Sequence, residues 1–547
     1  MPAPVPSIAA ILRRAARSPS VHLAALAYVV ALAVEPGHLG SVDTERRLQV
    51  AHALWTGGPH VRPDDADDMK IPGRDGQVYP PYGIGQSLLM LPADVAVSAV
   101  TSRMGGDPGR ERLVRCGLVS LIVFPPLAAL GVVLALHVLT ELGFTLREAV
   151  AGAVGLLLGT SFLHYTHIHQ ENSLTWVLTL TGLLGVLRWR SRRCVRRLLA
   201  GSAALGYNLL IRPTTGLDLI AVGLFALALI WREDRASFRR AFREGLLIAV
   251  PTVAAFAAAE RAWQWHRFGS PLSTYIHLYG ENEKARVSGL PAEFPFSHPF
   301  AAGFLNPLLS PEKSVFLFDP LLVATAGLGL LFLFGAGRAR SADEAAAPGP
   351  ENGSDRLRLL WIAGWLLLAG YFAFYARWAF PSGENSWGDR FSSVPVQWLA
   401  MLAVPMWMRF AAPSAPRAVR WAAGTFAAAA VWIQVSSVVL SYNLECLQRQ
   451  TCLTGPTCVV WLRQRNIAAL AEGRFEGSDL SCGAAPAVMR WTEIDLLPFK
   501  VGRIAGPVAT TVAAVGWTGL LAGSAALLGR LYVRARRGDF DPLPERH

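Results

Sequence analysis

Ile84-Gly85-Gln86-Ser87-Leu88-Leu89-Met90-Leu91-Pro92-Ala93-Asp94-Val95-Ala96-Val97-Ser98-Ala99-Val100-Thr101-Ser102-Arg103 is the stretch on which the topology turns. It is apolar enough to invite a membrane span, yet it carries Pro92, Asp94 and several hydroxyls. Around it lie twelve stronger apolar runs, at roughly 21–36, 113–138, 148–164, 172–188, 197–212, 215–231, 245–262, 315–336, 358–378, 393–412, 420–441 and 506–532. Most approach the ~20 residues that a helix needs to cross a bilayer. The arginines decide the register. Clusters stand at Arg188–Arg197, Arg232–Arg243, Arg338–Arg358, Arg417/Arg420 and Arg530–Arg537. Cytoplasmic loops are rich in Lys and Arg, and all these clusters fall on one side only if residues 84–103 lie on the membrane surface and do not cross it.

Composition agrees with this reading. The chain has 547 residues, 52% hydrophobic and 16% charged, with a mean hydropathy of +0.34. Soluble domains carry roughly 25% charged residues, and a lipid-facing surface cannot tolerate that many. The net charge of +12 resides in the arginine clusters between apolar runs. No reader motif or continuous basic face accompanies it, so nucleic acid is not an expected partner. Arg13, Arg14 and Arg17 precede the first apolar run, and no convincing small-x-small cleavage site follows, so it reads as a retained helix. The expected fold class is an all-α, polytopic membrane bundle of about twelve transmembrane helices. Surface helices occupy its first external loop. The expected divisions are a cytoplasmic N-terminus (1–20), a transmembrane catalytic region (21–412) with its first loop at 37–112, and a C-terminal transmembrane pair (413–547).

The external segments are then 37–112, 165–171, 263–314 and 442–505, with a short one at 379–392. The last long loop holds Cys446, Cys452, Cys458 and Cys482 and no histidine. Four cysteines in an exported loop favour two disulfides over a metal site, with three connectivities open. No Walker A run, Rossmann glycine fingerprint or G-x-S-x-G elbow occurs. An external site without nucleotide needs an energised substrate already in the membrane.

Charged residues at the ends of spans carry the functional signal. Asp43 follows the first span within Gly40-Ser41-Val42-Asp43-Thr44-Glu45-Arg46-Arg47. A carboxylate there can take a proton from a hydroxyl or bind a metal, and an ordinary solvated loop acid is the plainer alternative. The short second loop, His164-Tyr165-Thr166-His167-Ile168-His169-Gln170-Glu171-Asn172, holds polar groups at the membrane face. His167, His169 and Glu171 could ligate a divalent cation, or the histidines could simply satisfy interfacial hydrogen bonds. Glu171 stands out because an acid at the start of a span is costly without a role. Arg212, Lys313 and Arg390 are cations stranded on the external side. They need anionic partners, either a phosphate or local acids such as Glu384 and Asp389.

This ordered set resembles the bacterial GT-C membrane glycosyltransferases of the protein-mannosyltransferase and aminoarabinose-transferase type. The resemblance rests on Ser41-Val42-Asp43, on Gly76-Gln77-Val78-Tyr79 leading into Tyr82-Gly83-Ile84-Gly85, and on Tyr165 with Glu171. It also rests on Phe268-Gly269-Ser270-Pro271 with Leu309-Ser310-Pro311-Glu312-Lys313, and on Ser386-Trp387-Gly388-Asp389-Arg390. It runs from about residue 40 to 410 and is poor in the last third. Tyr79-Pro80-Pro81-Tyr82, Lys313 and the His-rich loop depart from the pattern. The resemblance implies a sugar donor carried on polyprenyl phosphate and an extracytoplasmic acceptor in the plasma (inner) membrane. It implies that Asp43 is the catalytic carboxylate and Glu171 a second acid. Arg212, Lys313 and Arg390 are then expected on the phosphate, with Tyr79, Tyr82 and Trp387 beside the substrate. A transporter or flippase for a lipid-linked anion would use the same arginines along a path, but would be expected to place charge near the midplane and to show internal repeats, which are not apparent.

Overall fold

The structure is a computed structural model that describes residues 17–65, 70–103, 107–233, 235–334, 351–380, 382–383, 386–441, 443–451, 456–472 and 494–540. It is helical almost throughout; among the described residues the sheet is a two-residue ribbon pairing Ile71 with Tyr79 and Pro72 with Val78. The helices that position the site are α1 (Pro19–Ala33), α2 (Val42–Thr56), α3 (Gly85–Thr101), α4 (Pro108–Glu141), α5 (Leu146–Gly159), α6 (Phe162–Ile168), α7 (Asn172–Arg192), α8 (Val195–Ile211), α9 (Gly216–Glu233), α10 (Phe238–Phe268) and α11 (Glu351–Tyr375). The chain continues through shorter helices, Arg417–Val439, and a final helix, Leu497–Arg537, interrupted at Gly506.

Each of the twelve apolar runs falls on helix. Among the described residues, six helices are by themselves long and apolar enough to cross a membrane, or seven if α5 and α6, bent by 52°, count as one span. The chain is therefore an all-helical, polytopic membrane protein. Residues 84–103 form α3, which is not one of those six. Its buried face carries Gln86, Ser87, Asp94, Ser98 and Thr101, and it packs on α2, α4 and α8. Polar groups facing protein suit a helix that needs partners for its side chains more than one immersed in lipid.

Helix α2 begins where Ser41 accepts a hydrogen bond from the Thr44 amide, with Asp43 and Glu45 in the positive first turn, and ends at left-handed Gly57. Its i, i+4 pair Asp43 and Arg47 share one face. Two contacts seat α2 and α3 on the second loop. The Thr44 hydroxyl and the Gln86 amide both donate to the carbonyl of His169, at 3.0 and 2.9 Å. His169 itself takes a left-handed φ of 56° to end α6, and Glu171 stands immediately before α7 with its side chain free of any capping role.

Two glycines make the approach close enough. A Cβ on Gly40 would lie 2.5 Å from the Ile168 carbonyl oxygen, and one on Gly83 would lie 2.2 Å from that of Leu210. Gly83 thereby brings Tyr82 against the end of α8. The obstruction is backbone and cannot swing aside, so Gly83→Ala should cost roughly 1–3 kcal/mol of stability. A lowered Tm in detergent, with faster amide exchange over residues 79–84, is the expected result; an unchanged Tm would mean that the contact is slack.

Candidate active site

One end of the bundle, where α1 and α8 finish and α7 begins, gathers charges from four distant segments. The Asp43 carboxylate accepts from the Tyr82 hydroxyl at 2.6 Å on Oδ1 and from Arg390 Nη1 at 3.1 Å on Oδ2. Glu171 faces Arg47 Nη2 at 2.9 Å and Arg212 Nη1 at 3.8 Å. The two pairs are joined through Tyr82, because the Arg47 guanidinium lies 4.2 Å over its ring. Arg390 is placed by its own backbone: Asn172 donates to its carbonyl and to the Ser393 hydroxyl, both at 2.6 Å.

Burial sets the electrostatics. Glu171 is 9% exposed, and that burial alone would raise its pKa; Arg47, Arg212 and Arg390 outweigh it and hold the carboxyl down to about 2. Burial and the nearby Asp43 charge push the Tyr82 hydroxyl well above its ordinary range, so it stays protonated as a donor. Three guanidiniums against two carboxylates leave one formal positive charge. Arg47 Nε and Nη1 and Arg212 Nε and Nη2 are buried and have no acceptor among the described residues. Donors in that state favour an anion with several oxygens, and a guanidinium fork matches phosphate geometry.

The other residues expected at the site are deployed elsewhere. The Lys313 ammonium donates into the 383–388 loop, to the Ser386 carbonyl at 2.8 Å, the Ser386 hydroxyl at 3.1 Å and the Gly388 carbonyl at 3.2 Å. Burial pulls its pKa down to about 7. It braces the loop that carries Arg390. Trp387 packs between His164, Phe318 and Arg463, and Tyr165 donates to its carbonyl. Tyr79 donates to Asp75 at 2.8 Å and stacks on His60. Asp389 accepts from the Phe391 amide and the Ser392 hydroxyl, capping its own turn. Glu384 lies outside the described residues.

His167, His169 and Glu171 do not converge as metal ligands. His167 bonds Val34 O and Asp495, His169 bonds Glu35, and Glu171 faces arginines. Among the described residues no group of three His, Cys, Asp or Glu side chains is placed to hold a metal ion. Cys446 and Cys458 are half-buried in the last loop, while Cys452 and Cys482 lie outside the described residues.

Arg47 is the member of the cluster that sequence reasoning missed. Its spacing of four from Asp43 on a helix was the available signal, although Arg46 beside it carries the same charge. The helix turns Arg46 away to Asp65 at 2.6 Å.

No family model and no curated protein matches this chain. Two solved structures are similar. One is ArnT from Cupriavidus metallidurans bound to undecaprenyl phosphate, at 16% identity over 94% of this chain and 77% of that one, with a TM-score of 0.43. The other is the Archaeoglobus fulgidus oligosaccharyltransferase in the apo form, at 13% identity over 84% of this chain, with a TM-score of 0.39. This chain spans 58% of the length of the second.

Linkage gives the site a pH signature. The Glu171 pKa is depressed in the folded state, so its stabilisation is present above the unfolded value near 4.5 and is lost as pH falls toward about 2. The shift corresponds to something on the order of 3 kcal/mol. Glu171→Gln should lower Tm clearly at pH 6, and the gap to wild type should close progressively as pH falls from about 4.5 to about 2. A gap independent of pH would show that the carboxylate charge is not what Arg47 needs.

Proposed function

We propose that this chain is a membrane glycosyltransferase that takes a sugar from a polyprenyl-phosphate donor and gives it to a hydroxyl of an extracytoplasmic acceptor in the plasma membrane. The observation that carries this reading is the Asp43 carboxylate clustered with three guanidiniums, two of which have buried N–H groups without an acceptor among the described residues. That combination offers a base and an anion cradle within one cluster.

In the reaction, Asp43 takes the proton of the acceptor hydroxyl as its oxygen attacks the anomeric carbon. The new glycosidic C–O bond forms on one face, the C–O bond to phosphate breaks on the other, and configuration inverts. The departing polyprenyl phosphate receives the bond's electron pair and is stabilised by Arg212, Arg390 and Arg47. Arg390 pairs with Asp43 Oδ2. A phosphate competing for Arg390 would release that oxygen to act as the base. Donor binding would thus arm the carboxylate. Glu171 keeps Arg47 and Arg212 in place and lowers the net positive charge of the site.

A general base contributes about 10²–10⁴-fold, and aligned cations often contribute as much. In nanodiscs with a radiolabelled polyprenyl-phosphate sugar and cell-envelope acceptors, Asp43→Asn should bind donor normally and lose at least ~10²-fold in kcat. Arg212→Ala should chiefly raise the donor KM. Full turnover by Asp43→Asn would overturn the base assignment, and movement of intact donor across the bilayer without release of lipid phosphate would make the chain a flippase.

A further inference from the structure

Arg267 lies in the last turn of α10, with 1% of its surface exposed, and takes no part in the charge cluster. Its guanidinium Nη1 donates to two backbone carbonyls two residues apart, Pro80 O at 3.2 Å and Tyr82 O at 3.1 Å. Nη2 donates to Gln264 Oε1 at 3.1 Å, and Gln264 in turn donates to Glu260 at 2.7 Å. Its own backbone carbonyl accepts from the Arg74 amide at 2.8 Å. The guanidinium lies among the rings of Tyr79, Trp263, Phe268 and Tyr275, 4.7 to 5.9 Å from their centroids.

The segment held in this way, residues 74–82, is otherwise anchored by the buried ring of Tyr79 against His60, Trp263 and Phe268, and its backbone has few other ties. Its sheet is two residues per strand, Pro80 and Pro81 have no amide to donate, and residues 74–77 are exposed. Yet this segment carries Tyr82, whose hydroxyl lies 2.6 Å from Asp43 and whose ring supports Arg47. A carbonyl pair spaced across a Pro-Pro turn needs two N–H directions from one planar group, which arginine supplies and lysine supplies poorly.

We infer that Arg267 is a positioning residue: it clamps the backbone at Pro80 and Tyr82 so that Tyr82 holds Asp43 in the orientation that transfer requires. This rests on the glycosyltransferase reading above. Arg267 is 1% exposed and its guanidinium hydrogen bonds go to Pro80, Tyr82 and Gln264, so its effect passes through Tyr82.

The test is a double-mutant cycle on the full-length protein in nanodiscs with the same radiolabelled donor. Tyr82→Phe should lower kcat by on the order of tenfold, as the loss of one charge-assisted hydrogen bond. Arg267→Ala should lower kcat to a similar degree with the donor KM little changed, and Arg267→Lys should recover only part. The double variant should be no slower than Tyr82→Phe alone; multiplied effects would overturn the inference. Hydrogen exchange by peptide mass reads the clamp without reference to catalysis. Arg267→Ala should speed exchange over residues 71–84 and leave the α7 peptides unchanged, and general loosening would also overturn it. If Arg267→Ala fails to accumulate, the Arg267→Lys cycle gives the same two readings. Absence of sugar transfer by the wild-type protein sinks the glycosyltransferase reading with the exchange result intact, which separates the two failures.

Discussion

The buried carboxylate of Glu171 is the constraint on which this end of the molecule depends. An acid at the start of a membrane helix, 9% exposed, cannot remain ionised without cations brought to it. Arg212 at the end of α8 is near but 3.8 Å away. The close partner is Arg47, which belongs to α2 in the loop after the first helix. Neutralising Glu171 therefore requires that loop to lie over the start of α7. Once it does, Asp43 on the same face of α2 is carried to the same place, and Tyr82 and Arg390 complete its surroundings. Arg47 is worth more as a tether than as a charge pair alone, since an isolated buried pair roughly breaks even against its desolvation.

Around this centre lies a belt of buried polar contacts that fixes the loops to one another. His169 presents its carbonyl to α2 and α3 and its Nε2 to Glu35. His167 reaches Asp495, which also accepts from His38 and faces Lys500. Burial would raise the Asp495 pKa, but the two histidines hold it well below the ordinary carboxylate range. Arg463, with no exposed surface, pairs with Glu445 and four backbone carbonyls and stacks on Trp387. Thus the C-terminal segments, which carry none of the clustered charges, brace the loop that carries Arg390. Satisfied networks of this kind are rigid because any one defect exposes a buried charge.

The membrane helices were legible because hydropathy is a local property: every apolar run lies on helix. Four of the charges now seen together, Asp43, Glu171, Arg212 and Arg390, could also be singled out from sequence, since each is an ionisable group at the edge of an apolar run and costs energy there. Lys313 meets the same criterion and does not join the cluster, and neither does Trp387, which the resemblance places beside the substrate. Their sequence neighbours look alike, but Lys313 is consumed by the carbonyls of Ser386 and Gly388, and Trp387 by ring packing. The histidines of the second loop had a metal-like spacing, and each found a separate partner.

By itself the sequence determined the class of the fold, the places where helices enter and leave the apolar region, and which ionisable groups are too costly to be idle. Only the tertiary structure decided the pairing. Asp43 and Arg390 are 347 residues apart, Arg47 and Glu171 lie on different loops, and Arg267 reaches Tyr82 across 185 residues. Hydropathy and helix ends depend on neighbours a few residues away. The identity of a buried charge's partner depends on which segments the packed bundle brings within a few ångströms, and one residue of difference, Arg46 or Arg47, sends a side chain to another acid altogether.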